Sequence, residues 1–181
     1  MSDNPRVLVG YATAGGSTAG IAERIAATLR DTGADVTCSP VGPDLDPAAF
    51  DVVVVGSAIH NMAWLRPALD FLDRLPTTGD RPVWCFSVGG IDPRGPVTRR
   101  MTELEIRRVE QGFPSSFRPR DHRLFGGVIE TVGVPLWGRL FWRSMGGRPG
   151  DHRDWPAIQA WAERIAGTFR GLRAVDRHEQ P

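Results

Sequence analysis

The chain has 181 residues, 41% hydrophobic and 24% charged, the make-up of a single globular domain. No run of 18 apolar residues occurs, which excludes a membrane-spanning helix, and the opening MSDNPRVLVG lacks the basic flank and apolar stretch expected of a secretory signal. All 22 basic residues are arginine, and their distribution is uneven. Residues 1–93 hold 6 Arg against 11 acids, net −5, and residues 94–181 hold 16 Arg against 10 acids, net +6. That asymmetry suits an anionic partner on the second half.

In chain order, residues 6–11 read as a buried strand that runs into the loop ATAGGSTAG. A helix is expected over 18–31, because Ile21, Ala22, Ile25, Ala26 and Leu29 fall on one face and Gly33 stands where a helix closes. Residues 35–41 are a short strand, with Pro40 marking a sheet edge. Residues 51–56, DVVVVG, carry four valines without alternation, the pattern of a parallel strand covered on both faces. Helices are expected at 66–75, with Pro67 in the first turn, and at 96–111. Strands are expected at 82–88 and 124–129. A final helix is expected over 154–170, capped by Asp154, with Trp155, Ile158, Trp161, Ile165 and Phe169 as its apolar stripe. Strands alternating with helices imply an α/β fold. The expected form is a doubly wound five-stranded parallel sheet of order 2-1-3-4-5, whose ligands bind beyond the carboxyl ends of the strands.

The first strand-to-helix turn carries the chemistry. Thr13, Ala14, Gly15, Gly16, Ser17 and Thr18 combine two glycines, three hydroxyls and the start of a helix. Such a turn can fold round an anion and meet it with hydroxyls, free amides and the positive end of the helix dipole. It has no lysine, so it is not a nucleoside-triphosphatase loop, and it misses the G-x-G-x-x-G spacing of dinucleotide sites. Hydroxyls and amides alone suit one terminal phosphate, as in FMN. Two more loops converge on the same edge in this topology. Ser57, Ala58, Ile59, His60, Asn61, Met62 and Trp64 follow the third strand, and Ser87, Val88, Gly89, Gly90 and Asp92 follow the fourth.

These features resemble the flavodoxin family, whose phosphate loop is commonly T-x-T-G-x-T. Thr13, Gly16 and Thr18 match, and Gly15 replaces the middle threonine, one hydroxyl fewer. Three stretches are similar to the flavodoxin-like branch that contains menaquinone-dependent protoporphyrinogen dehydrogenase: residues 13–26, 52–72 and 125–166. The last is the more specific, because ordinary flavodoxins lack its MGG-x-x-x-D-x-R-D-W passage. The resemblance implies one flavodoxin-like domain, 1–181, with an insertion at about 131–150 and a tail at about 171–181. It implies FMN as cofactor, with Thr13 to Thr18 on the phosphate, Ser57 to Trp64 along the flavin with Met62 or Trp64 over the ring, and Ser87 to Asp92 holding its other side. The implied chemistry is an oxidoreductase passing electrons to a quinone, in the cytoplasm or at the inner face of the membrane. Two alternatives stay open: an electron carrier docking on a redox partner protein, and a flavodoxin-fold module that has lost FMN.

The segment 131–147 is apolar and aromatic, with Trp137 and Phe141 on one line and Arg139 and Arg143 on another. It fits sheet cover, and equally a membrane or quinone contact through residues 134–146. Cys38 and Cys85 fall on strands that are not neighbours and read as reduced thiols of a cytoplasmic protein. His122, His152 and His178 lack metal-ligand spacing, so no metal is expected. The arginines of 96–111 have no interleaved aromatics, so no nucleic acid is expected either.

Overall fold

The computed structural model describes residues 4–75, 81–89, 96–129 and 150–175. Five parallel strands form its sheet: β1 (Arg6–Ala12), β2 (Asp35–Pro40), β3 (Val52–His60), β5 (Val83–Gly89) and β6 (Asp121–Gly126), in the order β2-β1-β3-β5-β6. The expected order of five parallel strands is the observed one. Among the described residues, α1 (Ser17–Asp31), α2 (Arg66–Asp73) and α3 (Pro96–Glu110) connect them, and α4 (Trp155–Val175) follows the last strand. Two differences stand out. The fifth parallel strand begins at Asp121 rather than 124, and α4 continues to Val175.

Successive residues of a strand point to opposite faces, so the valine run of β3 builds two cores at once. Val52 and Val54 face the cluster that contains Ile21, Ile25 and Leu29 of α1 and Ile158, Trp161 and Ile165 of α4. Val53 and Val55 face the cluster of Phe71, Leu72, Val109 and Phe113. All four valines are completely buried. The α1 helix buries the face the sequence marks, and it ends where Gly33 takes φ 86°. Cys85 is buried and Cys38 half-buried, both as free thiols, and burial pushes both upward in pKa.

The third connection departs from a loop. β3 continues through His60, turns at Asn61–Met62, and returns as β4 (Ala63–Trp64), with Ile59 paired to Trp64 and His60 to Ala63. Both turn residues have positive φ, 51° and 62°, which is the backbone of a type I′ hairpin turn. At the far side, β7 (Val128–Ile129) pairs antiparallel with β8 (Gly150–Asp151). The expected insertion helix with Trp137, Arg139, Phe141 and Arg143, and the tail beyond 175, lie outside the described residues.

Gly56 is the close-approach point of the sheet. A Cβ there would run into the ring of Phe86, its partner on β5. That ring is held by Phe125 and Trp161 at centroid distances of 6.4 and 6.2 Å, so it has little room to yield. Gly56→Ala is therefore expected to lower stability by about 1–3 kcal/mol, as overpacking does. Urea unfolding of the variant checks this; an unchanged midpoint contradicts it.

Candidate functional site at the carboxyl ends of the strands

Register brings the three loops together. Ala12 pairs with Ser57 and Ser57 pairs with Ser87, so β1, β3 and β5 reach the same level before their connections begin. The first connection is the Thr13–Thr18 turn. Gly16 sits at φ 85°, the left-handed conformation that glycine reaches at low cost, and no side chain caps α1 behind it. The Gly16 N–H donates to Thr13 Oγ1 at 2.9 Å, which leaves the Thr13 hydroxyl proton free to donate in turn. Side chains built on Gly15 or Gly16 would meet nothing within 4 Å, so the outer side of the turn is open space. Thr18 is completely buried, and its Oγ1 has no hydrogen-bond partner. A buried unpaired hydroxyl costs about 1–3 kcal/mol, so an acceptor or donor belongs beside it.

The wall beside this turn comes from the chain after β6. The Gly127 N–H donates to Gly89 O at 2.9 Å, and a Cβ on Gly127 would stand 3.2 Å from Ser17 Oγ. Arg153 lies against the first turns of α1, where a Cβ on Gly20 would be 2.8 Å from its Nη1. The guanidinium packs on Trp155 at 4.5 Å and grips Asp151 with two bonds of 2.8 and 2.6 Å. Those bonds hold the Asp151 carboxyl down at about 2. Asp154 Oδ1 accepts from the Ala157 N–H at 3.1 Å, the helix cap the sequence marks.

The second and third connections divide into exposed and buried parts. His60, Asn61 and Met62 are exposed, and Ala58 and Ile59 are half-buried. Ser57 is completely buried: its Oγ accepts from the Leu65 N–H at 3.0 Å and donates to Ala58 O at 2.9 Å. Trp64 is turned into the core against Phe113 at 4.7 Å, so of the two aromatic or sulfur side chains expected over a ring, Met62 is the one at the surface. Ser87 and Val88 are also buried, and Gly89 is half-buried. Gly90 and Asp92 lie outside the described residues.

A link between three polar groups behind this edge has no signature in the sequence, although Ser87 itself is among the expected site residues. Ser87, His122 and Glu110 are joined by hydrogen bonds, although they lie on three different elements. Glu105 of α3 is also buried; its Oε1 lies 3.4 Å from the Cβ position of Gly89, and its Oε2 has no partner. Burial pushes the Glu105 carboxyl up. Two cavities of about 560 and 530 Å³ flank His122, but neither is lined by residues of the three loops. Among the described residues, no cluster of His, Cys, Asp and Glu is arranged to hold a metal ion, and no helix is long and apolar enough to cross a membrane.

A family model described as "Flavodoxin domain" matches residues 8–151. The chain therefore belongs to the flavodoxin-domain family. Among solved structures it is similar to a flavodoxin from the domain Archaea at 15% identity and TM-score 0.55, covering 91% of this chain and 99% of that one. It is similar to a short-chain flavodoxin associated with a non-canonical PDU bacterial microcompartment at 17% identity and TM-score 0.57, covering 91% and 97%. Rubredoxin oxygen:oxidoreductase from Desulfovibrio gigas matches at 18% identity and TM-score 0.55, over 93% of this chain but 37% of that one. At these identities the likeness is one of fold. No curated protein sequence matches the chain.

The Glu105 carboxyl yields a prediction with a definite sign. Its pKa is raised in the fold, so ionisation costs stability as pH rises above the ordinary value of 4.5. Glu105→Gln keeps the shape and removes the charge. The variant is expected to melt higher than wild type at pH 7–8, with the gain vanishing near pH 4. A gain independent of pH contradicts this reading.

Proposed function

We propose that this protein binds FMN at the Thr13–Thr18 turn and works as a flavodoxin-type redox protein. The observation that carries the reading is Thr18 Oγ1, buried and without a partner beside an uncapped helix N-terminus in a turn with open space outside it. A terminal phosphate supplies what that geometry lacks. The residues present fit the group: the hydroxyls of Thr13, Ser17 and Thr18 and the first free amides of α1 would hold the phosphate. Gly15 contributes no hydroxyl, so the amides and helix dipole carry more of the binding. When bound, the flavin ring supplies electron transfer in one- or two-electron steps. The chain orients it. His60, Asn61 and Met62 are the exposed part of the hairpin available to its ring, with Ala58 and Ile59 half-buried below them and Gly89, Gly90 and Asp92 assigned to its other side. Ser57, Trp64, Ser87 and Val88 support that edge from behind.

Within this reading we favour an oxidoreductase that takes electrons from a small or tetrapyrrole substrate and passes them to a quinone. Its support is the resemblance over 52–72 and 125–166, together with the net +6 charge of residues 94–181, which complements an anionic substrate. A cytoplasmic location with peripheral membrane contact through 134–146, and a single domain over 1–181, belong to the same proposal. The alternative is an electron carrier that docks on a redox partner protein.

The test is FMN titration by fluorescence quenching. Gly16→Asn and Gly16→Asp carry a similar backbone cost at positive φ, but only the second brings a charge. The aspartate variant is expected to bind FMN about tenfold more weakly than the asparagine variant. Thr18→Val is expected to weaken binding while raising the melting temperature of the flavin-free protein, because an orphaned hydroxyl is gone. Equal affinities for the two Gly16 variants contradict the phosphate assignment.

A further inference from the structure

The β3–β4 hairpin cannot hold its own shape. It has only two residue pairs, Ile59 with Trp64 and His60 with Ala63. Its turn places Met62 at φ 62°, a conformation that side chains other than Asn and Gly adopt at a cost. An isolated hairpin of this size is marginal in water. Something outside the hairpin fixes it: Ile59 packs against the core, and Trp64 is the side chain that reaches a polar partner there.

Trp64 begins a chain of hydrogen bonds. Its Nε1–H donates to Ser87 Oγ at 2.7 Å. Ser87 Oγ is 2.8 Å from His122 Nε2, and His122 Nδ1 is 3.0 Å from Glu110 Oε1. The directions follow from the groups. The Glu110 carboxylate only accepts, so the ring proton sits on Nδ1 and goes to it, and Nε2 of the neutral imidazole is an acceptor. An indole N–H only donates, so Ser87 Oγ accepts from Trp64 and offers its own proton to Nε2. Every donor has an acceptor only while His122 is neutral. A second ring proton turns Nε2 into a donor, so Ser87 Oγ must accept from the ring as well as from Trp64, and its own proton has to turn away.

The order Ser–His–Glu also describes a nucleophile with its base. Ser87, however, is completely buried in mid-strand, and its oxygen already accepts from Trp64. No substrate carbon reaches it, so nucleophilic chemistry is excluded on access. The outcome of the chain is mechanical.

We propose that Ser87, His122 and Glu110 are positioning residues for the ligand-facing turn Asn61–Met62, acting through Trp64, and that protonation of His122 reorients the Ser87 hydroxyl and loosens their hold. The proposal deepens the flavin reading and rests on it for the identity of the ligand; its first readout needs no ligand.

The groups around His122 set the direction of its response. Glu110 of α3 accepts its proton directly, and Asp121 on the same strand adds a second negative charge. Glu103 and Arg107 of α3, Arg118 of the following loop, Arg123 of β6, and His152, Asp154 and Arg164 line the two cavities that His122 also lines. Burial prevails over the carboxylates and holds the imidazole below its ordinary 6.5. A base depressed in this way adds stability above pH 6.5, and that stability is lost as pH falls through the folded value. The chain is thus fully paired at neutral pH, and acidification turns the Ser87 hydroxyl away from the ring.

The experiment follows the ligand-free full chain by ¹⁵N NMR between pH 4.5 and 8. The Trp64 indole resonance is assigned from its loss in Trp64→Phe. The indole and the Asn61 and Met62 amides are expected to shift with the midpoint of the His122 ring, below 6.5. Amides that stay fixed while His122 titrates overturn the proposal. Glu110 is partly exposed, so its variants open no apolar cavity, and water can reach the His122 Nδ1–H that Glu110→Ala leaves unpaired. Glu110→Ala removes a group that raises the imidazole, so both midpoints should fall together. Glu110→Gln keeps an acceptor and should restore the neutral-pH hairpin resonances.

FMN titration supplies the second arm. The ligand's own phosphate takes up a proton near pH 6, so the comparison is between proteins rather than between pH values. The acid midpoint for FMN affinity is expected to move down in Glu110→Ala as His122 does. An identical midpoint in both proteins overturns the positioning of the ligand. Wild type that binds no FMN at any pH, with the amide response intact, refutes the flavin reading and supports the hold on the turn.

Discussion

The structure depends on β3 being buried on both faces. Four consecutive valines, Val52 to Val55, are each completely buried, two in each core. A strand in that position must lie between neighbours and under helices on both sides, which is the setting of a parallel sheet. Its register with β1 and β5 puts Ala12, Ser57 and Ser87 at one level. The turn at 13–18, the hairpin at 57–64 and the end of β5 therefore share one edge of the sheet. Packing in the interior is thus the reason that hydroxyls, a histidine, a methionine and glycines far apart in the chain stand together.

Much of this was legible in the residues. The valine run, the apolar stripes of α1 and α4 and the glycine that ends α1 are local patterns, and the strand order follows from their alternation. The Thr13–Thr18 turn was legible because its residue types at a strand-to-helix junction have few other uses. The hairpin was not. A type I′ turn is usually signalled by Asn-Gly, and here Met62 occupies the position where glycine would be read. The start of β6 was hidden for a related reason. Asp121, His122 and Arg123 look like a solvated segment, yet His122 is buried because Ser87 and Glu110 satisfy both ring nitrogens. Those partners lie 35 and 12 residues away, and no spacing rule connects them.

The departures from good internal packing are concentrated at the same edge. Thr18 Oγ1 and Glu105 Oε2 are the buried side-chain atoms without partners among the described residues. Thr18 is the second residue of α1, just past the turn that follows β1, and Glu105 rests against Gly89 at the end of β5. Other buried polar groups are paired, Trp161 Nε1 with Asp121 and, at the edge itself, Ser57 with Leu65 and Ala58. Places where a sequence breaks the rules of polar satisfaction are where function is expected. The supporting shell behind the hairpin is, by contrast, fully connected, as the proposed flavin site would require.

The central claim is that the Thr13–Thr18 turn recognises a phosphate. The most direct measurement is isothermal titration of the wild-type protein with FMN and, separately, with riboflavin, which differ only by that phosphate. FMN is expected to bind roughly a hundredfold more tightly, the scale of a few charge-assisted hydrogen bonds to amides and hydroxyls. Equal affinity for the two flavins, or binding of neither, contradicts it.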